Sequence, residues 1–318
     1  MLLNKDFLAK QIKNISFADV EKEMNQLIQI GLEKKVEKQS PRCRIGNNVV
    51  DYFTFAQRLE TRGKYNINFY EFIEKLDEFK KKKFISNMLT YYETVKNKNG
   101  TKNKYIVLKE VYNICISAIN IIRPLVYMEI YEKYKPTCVL DFCAGWGGAA
   151  TAAAALHIPK YIGIEINHHL KKPYENLTSF LKTVSPTTIF EMLFEDALQI
   201  DYSKYEYDIV FTSPPYYFIQ KYENNAQYCS KKEMDELFYK PLFTKTYNGL
   251  KKGGHYIIIV CKEVYDNVLF PLFGEPKEAY PYKKSKRQND YQEMVYVWIR
   301  GTEVPPKTPS FWKKDEPN

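Results

Sequence analysis

The chain has 318 residues, of which 45% are apolar and 15% aromatic, so it can form one large folded domain and a smaller one. It carries 47 Lys and Arg against 38 Asp and Glu, and the resulting net charge of +9 favours a polyanionic partner. No run of 18 apolar residues predicts a membrane span, and the first residues lack the pattern of a secretory signal.

The cysteines and histidines point to a reducing compartment and to no metal. The six cysteines form no C-x-x-C pair and mostly lie within apolar runs, as is typical of reduced thiols inside a folded protein. The four histidines lack metal-ligand spacing with cysteines or acidic residues. We therefore expect an intracellular protein, cytoplasmic or nuclear, without a metal site.

The first third of the chain is predicted to be helical. Apolar residues recur there at helical spacing, and a polar stretch with a central glycine, 96–104, predicts a loop. Pro124 is placed to begin a helix at its first turn. The lysine run 80–83 is typical of a solvated helix face, with a phosphate-contacting patch as the alternative. The predicted helices of this part are 17–30, 70–92, 105–122 and 124–134.

After Pro136 strands alternate with helices. The predicted strands are 138–141, 161–165, 188–194, 207–211, 256–261 and 294–299, and the helices between the first five are 149–157, 170–184 and 232–250. This alternation predicts a doubly wound, mostly parallel α/β sheet. We expect a helical N-terminal domain over 1–104, an α/β domain over 105–310 and a tail over 311–318.

Polar features follow the first three predicted strands. The first strand ends at Asp141 and passes through a glycine-rich segment, 142–148, where the backbone can approach a ligand closely. Glu165 ends the second strand and can accept hydrogen bonds from both hydroxyls of a ribose. Asp196 follows the third strand and can accept from an adenine amino group. Each acid has the alternative of a surface carboxylate, but their shared position predicts a nucleoside pocket.

The fourth strand, 207–211, leads into two consecutive prolines. Proline fixes φ and lacks an N–H, so Ser213-Pro214-Pro215-Tyr216 predicts a stiff turn at the carboxyl end of the strand. Ligands of open α/β sheets bind at that edge. Taken alone, the turn is as consistent with an ordinary loop as with a binding site. Beside a nucleoside pocket it predicts a site that grips a flat base through its exocyclic amine.

These motifs carry a family resemblance. Asp141-x-Cys143-x-Gly145-x-Gly147 resembles the cofactor loop of class I S-adenosylmethionine-dependent methyltransferases, whose sheet has seven strands. The segment 212–217 resembles the catalytic motif of the exocyclic-amino DNA methyltransferases, which act on adenine N6 or cytosine N4. The likeness covers roughly residues 120–300. The residues that it implies for binding S-adenosyl-L-methionine are Arg123, Asp141, Cys143, Ala144, Gly145, Gly147, Glu165, Asp196 and Ser213.

The resemblance makes Ser213, Pro214, Pro215 and Tyr216 the catalytic residues. The lone pair of an aromatic amine is delocalised into its ring, so acceptors at Ser213 Oγ and the Pro214 carbonyl would favour a pyramidal nitrogen facing the methyl group. Positioning and electrostatics then replace a strong base. Tyr216 and Tyr217 are implied to contact the base by stacking.

Other residues bear on which substrate is expected. Ser213 stands where many adenine enzymes have Asp or Asn, which leans towards cytosine N4, and Cys143 replaces a usual Phe. Lys284 and Arg287 lie in a basic, aromatic segment that predicts a nucleic-acid edge, with a solvated hairpin as the alternative. The polar loop 220–232 is a candidate lid or strand contact, or a simple connector.

We therefore expect methyl transfer from S-adenosyl-L-methionine to an exocyclic amine of a nucleobase. The expected partner is nucleic acid, with DNA preferred, and no membrane. One alternative is an RNA base or a protein glutamine, since those families also have a Pro-Pro-aromatic motif. A second alternative is a non-catalytic, methyltransferase-like scaffold subunit, but the cofactor loop and the turn are both intact.

Overall fold

The computed structural model describes residues 4–117, 120–217, 228–282 and 293–301. Lys284, Arg287 and most of the polar loop 220–232 lie outside these residues. Within them, no helix is long and apolar enough to cross a membrane.

One sheet organises the second part of the chain. Its strands are β1 (Cys138–Asp141), β2 (Lys160–Ile164), β3 (Ile189–Leu193), β4 (Tyr207–Thr212), β5 (Leu250–Cys261), β6 (Glu278–Pro281) and β7 (Glu293–Ile299). They lie in the order β3-β2-β1-β4-β5-β7-β6. The first five are parallel, whereas β7 runs antiparallel to both β5 and β6. The predicted doubly wound, mostly parallel, seven-stranded sheet is confirmed.

The order of the strands positions a crevice. Every residue of β1 is buried, as expected for an inner parallel strand with both faces covered. From β1 the chain proceeds outwards through β2 and β3, and then returns to β4 on the other side of β1. At such a reversal the loops after β1 and β4 separate at the carboxyl edge of the sheet, which is where open α/β sheets bind ligands.

Helices precede the sheet in the chain and then alternate with its strands. They are α1 (Lys5–Ile12), α2 (Phe17–Leu32), α3 (Asn47–Arg58), α4 (Phe69–Glu74), α5 (Leu76–Lys80), α6 (Lys83–Tyr91), α7 (Lys104–Cys115), α8 (Pro124–Tyr134), α9 (Gly148–Ala155), α10 (Lys171–Val184), α11 (Lys231–Met234), α12 (Lys240–Gly249), α13 (Lys262–Val264) and α14 (Phe270–Phe273). π-helical turns follow α6, α11 and α13 directly, at Tyr92–Lys96, Asp235–Tyr239 and Tyr265–Leu269.

Most predicted elements are present, but several limits were wrong. Strand β6 was not predicted, nor were helices α13 and α14. The predicted helix 70–92 is three shorter helices, α4 to α6, and the predicted helix 105–122 ends at Cys115. The predicted helix 232–250 is α11 and α12 joined by a π turn.

Two apolar clusters describe how the N-terminal helices pack around residue 104, the predicted limit between the domains. Helix α7 buries Leu108, Val111 and Tyr112 in the same apolar cluster as the helices before it. Helix α2 instead packs against the sheet domain, since Val20, Met24 and Leu27 share a core with α8 to α10 and the central strands. The approach is close: a Cβ on Gly31 of α2 would lie 2.6 Å from Leu156 Cδ2.

Candidate active site

The loop between β1 and α9 brings bare backbone to the carboxyl edge of the sheet. Gly145 and Gly147 adopt positive φ angles of 56° and 96°, a conformation that other residues rarely adopt. A Cβ on Gly147 would lie 2.5 Å from Leu177 Cδ2, so the helix behind the loop also requires glycine. A Cβ on Gly145 would meet only the Cys143 carbonyl oxygen, at 3.7 Å. The loop therefore has open space beside Gly145.

Asp141 connects the cofactor loop to the end of β4. Its buried carboxylate accepts hydrogen bonds from Thr212 Oγ1 at 2.6 Å and from the Tyr161 hydroxyl at 3.3 Å. The Cys143 N–H lies 3.3 Å from the same group. Burial raises the pKa of Asp141 to about 6, although these hydrogen bonds oppose the increase. Since Thr212 directly precedes Ser213, this network joins the two predicted halves of the site.

Glu165 lies at the end of β2, beside the glycine loop. It accepts hydrogen bonds from the Gly145 N–H at 2.8 Å and the Asn167 N–H at 2.9 Å. Burial nevertheless raises its pKa to about 7. Near neutral pH this carboxyl group is thus present in both protonation states, and the ionised form is the better acceptor for two ribose hydroxyls.

Two loop carbonyls are fixed by residues that the sequence analysis missed. The Tyr174 hydroxyl of α10 donates to the Ala144 carbonyl at 2.9 Å. Thr54 Oγ1 of α3 lies 3.0 Å from the Trp146 carbonyl oxygen and 2.8 Å from that of Val50. Neither contact has a local sequence signal, because the partners are 30 and 92 positions apart. An N-terminal helix therefore supports the cofactor loop directly.

Asp196 and Cys143 lie at the same edge of the sheet. Asp196 begins the short 3-10 turn Ala197–Gln199 and accepts from the Leu198 N–H at 2.9 Å. Burial, followed by the charge of Asp141, raises the pKa of the Cys143 thiol well above its usual value. Cys143 is therefore a neutral lining group and not a nucleophile.

Internal hydrogen bonds hold the Ser-Pro-Pro-Tyr turn. Ser213 Oγ and the Tyr216 hydroxyl are 2.9 Å apart, and the Tyr216 hydroxyl lies 3.4 Å from the Ile259 carbonyl oxygen. The Tyr239 hydroxyl donates to the Pro215 carbonyl and accepts from the Tyr217 N–H at 3.2 Å. The two faces of the turn are thus fixed by β5 and by the π turn before α12.

Two predicted site residues have other partners. Tyr217 was predicted to contact the base, but its side chain is buried and its hydroxyl donates to Asp235 Oδ1 at 3.0 Å. Its φ of 35° is unusual for a residue with a side chain, and such strain occurs mainly at functional sites. The Arg123 guanidinium donates to the carbonyls of Pro41 and Cys43, the latter at 2.9 Å, so it anchors the N-terminal segment.

Sheet order, glycine loop and acidic strand end together match the fold of class I S-adenosylmethionine-dependent methyltransferases. Within the described residues, no group of three or more His, Cys, Asp or Glu side chains could hold a metal ion.

The comparisons with known proteins give more detail. Residues 136–270 match the model of a family described as RNA cap guanine-N2 methyltransferase. No curated protein sequence matches the chain.

One similar solved structure is an rRNA methylase from Streptococcus thermophilus, with 15% sequence identity and a TM-score of 0.39. The match covers 57% of this chain and 99% of that chain. Another is an RNA methyltransferase from Salinibacter ruber in complex with S-adenosyl-L-homocysteine, with 15% sequence identity and a TM-score of 0.38. The match covers 59% of this chain and 98% of that chain.

Proposed function

We propose that the chain methylates the exocyclic N2 amine of guanine in RNA, with capped RNA ends as the candidate substrate. The observation that carries methyl transfer to an amine is the Thr212–Asp141 hydrogen bond, which joins the Ser-Pro-Pro-Tyr turn to the glycine loop. Both motifs lie inside the stretch 136–270 that matches the RNA cap guanine-N2 family model.

This proposal replaces the preference for DNA with the RNA alternative. Guanine N2 is an exocyclic amine on an aromatic ring, like adenine N6 and cytosine N4, so the same turn chemistry applies. Only the family match distinguishes guanine N2 from adenine N6 and cytosine N4, and it favours RNA over DNA as the substrate.

The cofactor residues would hold S-adenosyl-L-methionine, which supplies an electrophilic methyl group. Gly145 leaves room for it, and the ionised Glu165 would accept its ribose hydroxyls. Asp196 lies at the next strand end and would accept from the adenine amino group. Asp141 would hold the loop in place and not contact the cofactor, because its carboxylate accepts hydrogen bonds from Thr212 and Tyr161.

The turn would orient the reacting amine. The Pro215 carbonyl already accepts from Tyr239, so the proposed acceptors are Ser213 Oγ and the Pro214 carbonyl. The Tyr216 hydroxyl donates its one proton to the Ile259 carbonyl, so Ser213 Oγ can donate to Tyr216 and keep its lone pairs for the amine. The Tyr216 ring, held by its hydroxyl, would stack on the base. Burial raises the pKa of Tyr216 well above its usual value, so this hydroxyl stays protonated.

The test compares acceptors directly. Transfer of labelled methyl is measured on capped RNA, on the same RNA without its cap, and on single-stranded DNA, and the product nucleosides are identified by mass spectrometry. We expect N2-methylguanosine from RNA, and greatest transfer with the cap. Methylated adenine or cytosine in DNA, with unmodified RNA, would contradict the proposal.

A variant at Ser213 tests the assigned roles. Ser213→Ala removes one acceptor for the amine, and we expect turnover to fall by about 100-fold, in the range seen when one preorganised polar group is lost. Binding of S-adenosylhomocysteine, measured by calorimetry, should not change. An equal loss of cofactor affinity would show that Ser213 belongs to the cofactor site instead.

A further inference from the structure

Two exposed aromatic rings of the helical N-terminal part lie among lysines. The side chains of Tyr65 and Phe84 are each 43% exposed. Lys82 Nζ lies 4.7 Å from the centre of the Tyr65 ring, and Lys64 Nζ lies 5.2 Å from that ring and 5.6 Å from the Phe84 ring. We call Lys64, Tyr65, Lys82 and Phe84 the Tyr65 surface. Rings that can stack on bases and ammonium groups that can reach phosphates are combined within one patch.

The backbone presents Tyr65 at a conformational cost. Tyr65 and Asn66 have positive φ angles of 64° and 55°, although neither is glycine. The turn is held by backbone hydrogen bonds from Gly63 to the Ile67 carbonyl at 3.0 Å and from Lys64 to the Ile116 carbonyl at 3.3 Å. Strained residues that are fixed in this way occur mainly at functional positions.

The charge around this surface is unbalanced. Residues 61–104 include eleven Lys and Arg but five Asp and Glu, so they carry most of the net charge of +9. Arg62 pairs with Glu71 and Lys80 with Asp77. Among the described residues, no ion pair includes the lysines at positions 64, 81, 82 and 83. Surplus ammonium groups beside open rings match a partner that has both negative charge and flat bases.

We propose that the Tyr65 surface binds a single-stranded segment of the RNA substrate, away from the base that is methylated. The identification of the strand as RNA rests on the proposed function. Bases of a single strand can stack on Tyr65 and Phe84, whereas the bases of a duplex are already stacked on each other. Because lysine contacts phosphates as a point charge, this binding has little sequence preference.

The experiment measures binding of the full chain to a fluorescent single-stranded oligoribonucleotide by anisotropy. Tyr65→Gly removes the ring at a backbone conformation that glycine prefers, so the fold should survive, and we expect at least about fivefold weaker binding. Lys64→Gln with Lys82→Gln should weaken binding and reduce the slope of log Kd against log salt by about 1.4, the value for two phosphate contacts.

Matched controls separate this surface from general effects. Tyr52→Ala removes a ring that is equally exposed, 43%, on helix α3. Lys251→Gln with Lys252→Gln removes two exposed lysines at the amino end of β5. Neither control should change RNA affinity. Equal losses in controls and test variants, or equally effective competition by duplex DNA or by polyglutamate, would overturn the proposal.

Binding and methyl transfer are read separately, so the two proposals can fail independently. If Tyr65→Gly loses RNA binding while the product is not N2-methylguanosine, the surface stands and the proposed function fails. If N2-methylguanosine forms and Tyr65→Gly binds RNA like the unaltered chain, the function stands and the surface fails.

Discussion

Two carboxyl groups beside the cofactor loop have pKa values close to neutral. Burial raises the pKa of Asp141 to about 6 and that of Glu165 to about 7. Both values are above those of an unfolded chain, so the folded protein binds more protons between about pH 4 and 7. The stability of the cofactor-free protein should therefore fall as the pH rises through this window.

Cofactor binding should depend on pH in the opposite direction. The ionised Glu165 can accept hydrogen bonds from both ribose hydroxyls, whereas the protonated form accepts less well. We expect the affinity for S-adenosylhomocysteine to increase from pH 5.5 to about 7 and then to level off, because Glu165 has a pKa of about 7. Calorimetric titration across this range measures the effect.

Glu165→Gln is the matched variant for this prediction. It keeps the size of the side chain and removes its titration, so the affinity should be low and nearly constant with pH. An unchanged pH dependence in Glu165→Gln would assign the titration to another group, with Asp141 as the nearest candidate.

Neighbouring tyrosines show what the sequence could predict about single residues. The Pro-Pro-aromatic pattern correctly placed a turn after β4, but it did not distinguish Tyr216 from Tyr217. Tyr216 bonds to Ser213 within the turn, whereas Tyr217 is buried against Asp235. That difference depends on a partner 18 positions away, and no local pattern encodes it.

At the scale of elements, a proline accounts for the division of the predicted helix 232–250, and a second proline occupies the same position in α14. Pro241 and Pro271 each lie at the second residue of a helix that directly follows a π turn, Asp235–Tyr239 or Tyr265–Leu269. Proline lacks an N–H and clashes with the preceding turn, and a wider π turn relieves both problems. The sequence predicted the helix 232–250 but not this widening, which brings Tyr239 to the Ser-Pro-Pro-Tyr turn.

Helix α3 should influence the cofactor site through Thr54. Thr54→Val keeps the shape of a fully buried side chain but removes its hydrogen bond to the Trp146 carbonyl. The loss should be worth about 1 kcal/mol. If this loss of free energy destabilises the cofactor-bound conformation of the loop, S-adenosylhomocysteine should bind up to about fivefold more weakly by calorimetry.

The control for this prediction is Thr246→Val in α12. Thr246 is equally buried and bonds to the Leu242 carbonyl and the Tyr256 hydroxyl. The same chemical change there should lower the melting temperature and leave cofactor affinity unaltered. Equal cofactor affinities in both variants and the unaltered chain would show that α3 does not act on the loop.

At the scale of the whole molecule, the helical part and the sheet share a core. The sequence predicted a separate helical domain over 1–104 because the polar stretch 96–104, with its central glycine, is typical of a loop between domains. Packing is a property of surfaces that meet in the fold, and α2 buries its apolar face against α8 and α9. Helix α3 contributes Val49 to this core and Phe55 to the cluster of the other N-terminal helices.

The shared core predicts that a change in α2 destabilises the sheet. Met24 is fully buried, and Met24→Ala should cost about 2–5 kcal/mol. Trp146 follows β1 and Trp298 lies in β7, so the fluorescence of these two tryptophans follows the unfolding of the sheet part, whereas Trp312 lies outside the described residues. We expect the melting temperature by tryptophan fluorescence to fall by about 4 °C or more, together with that from circular dichroism at 222 nm.

Ile85→Ala provides the comparison, because Ile85 is also fully buried but lies in the cluster that contains no sheet residue. Helix α3 contributes residues to both this cluster and the shared core, so we expect a smaller shift of the fluorescence transition than for Met24→Ala. If Met24→Ala leaves that transition in place while the circular dichroism changes, the helices and the sheet unfold separately. A joint shift means instead that the cofactor loop, which α3 holds through Thr54, depends for its stability on the N-terminal helices.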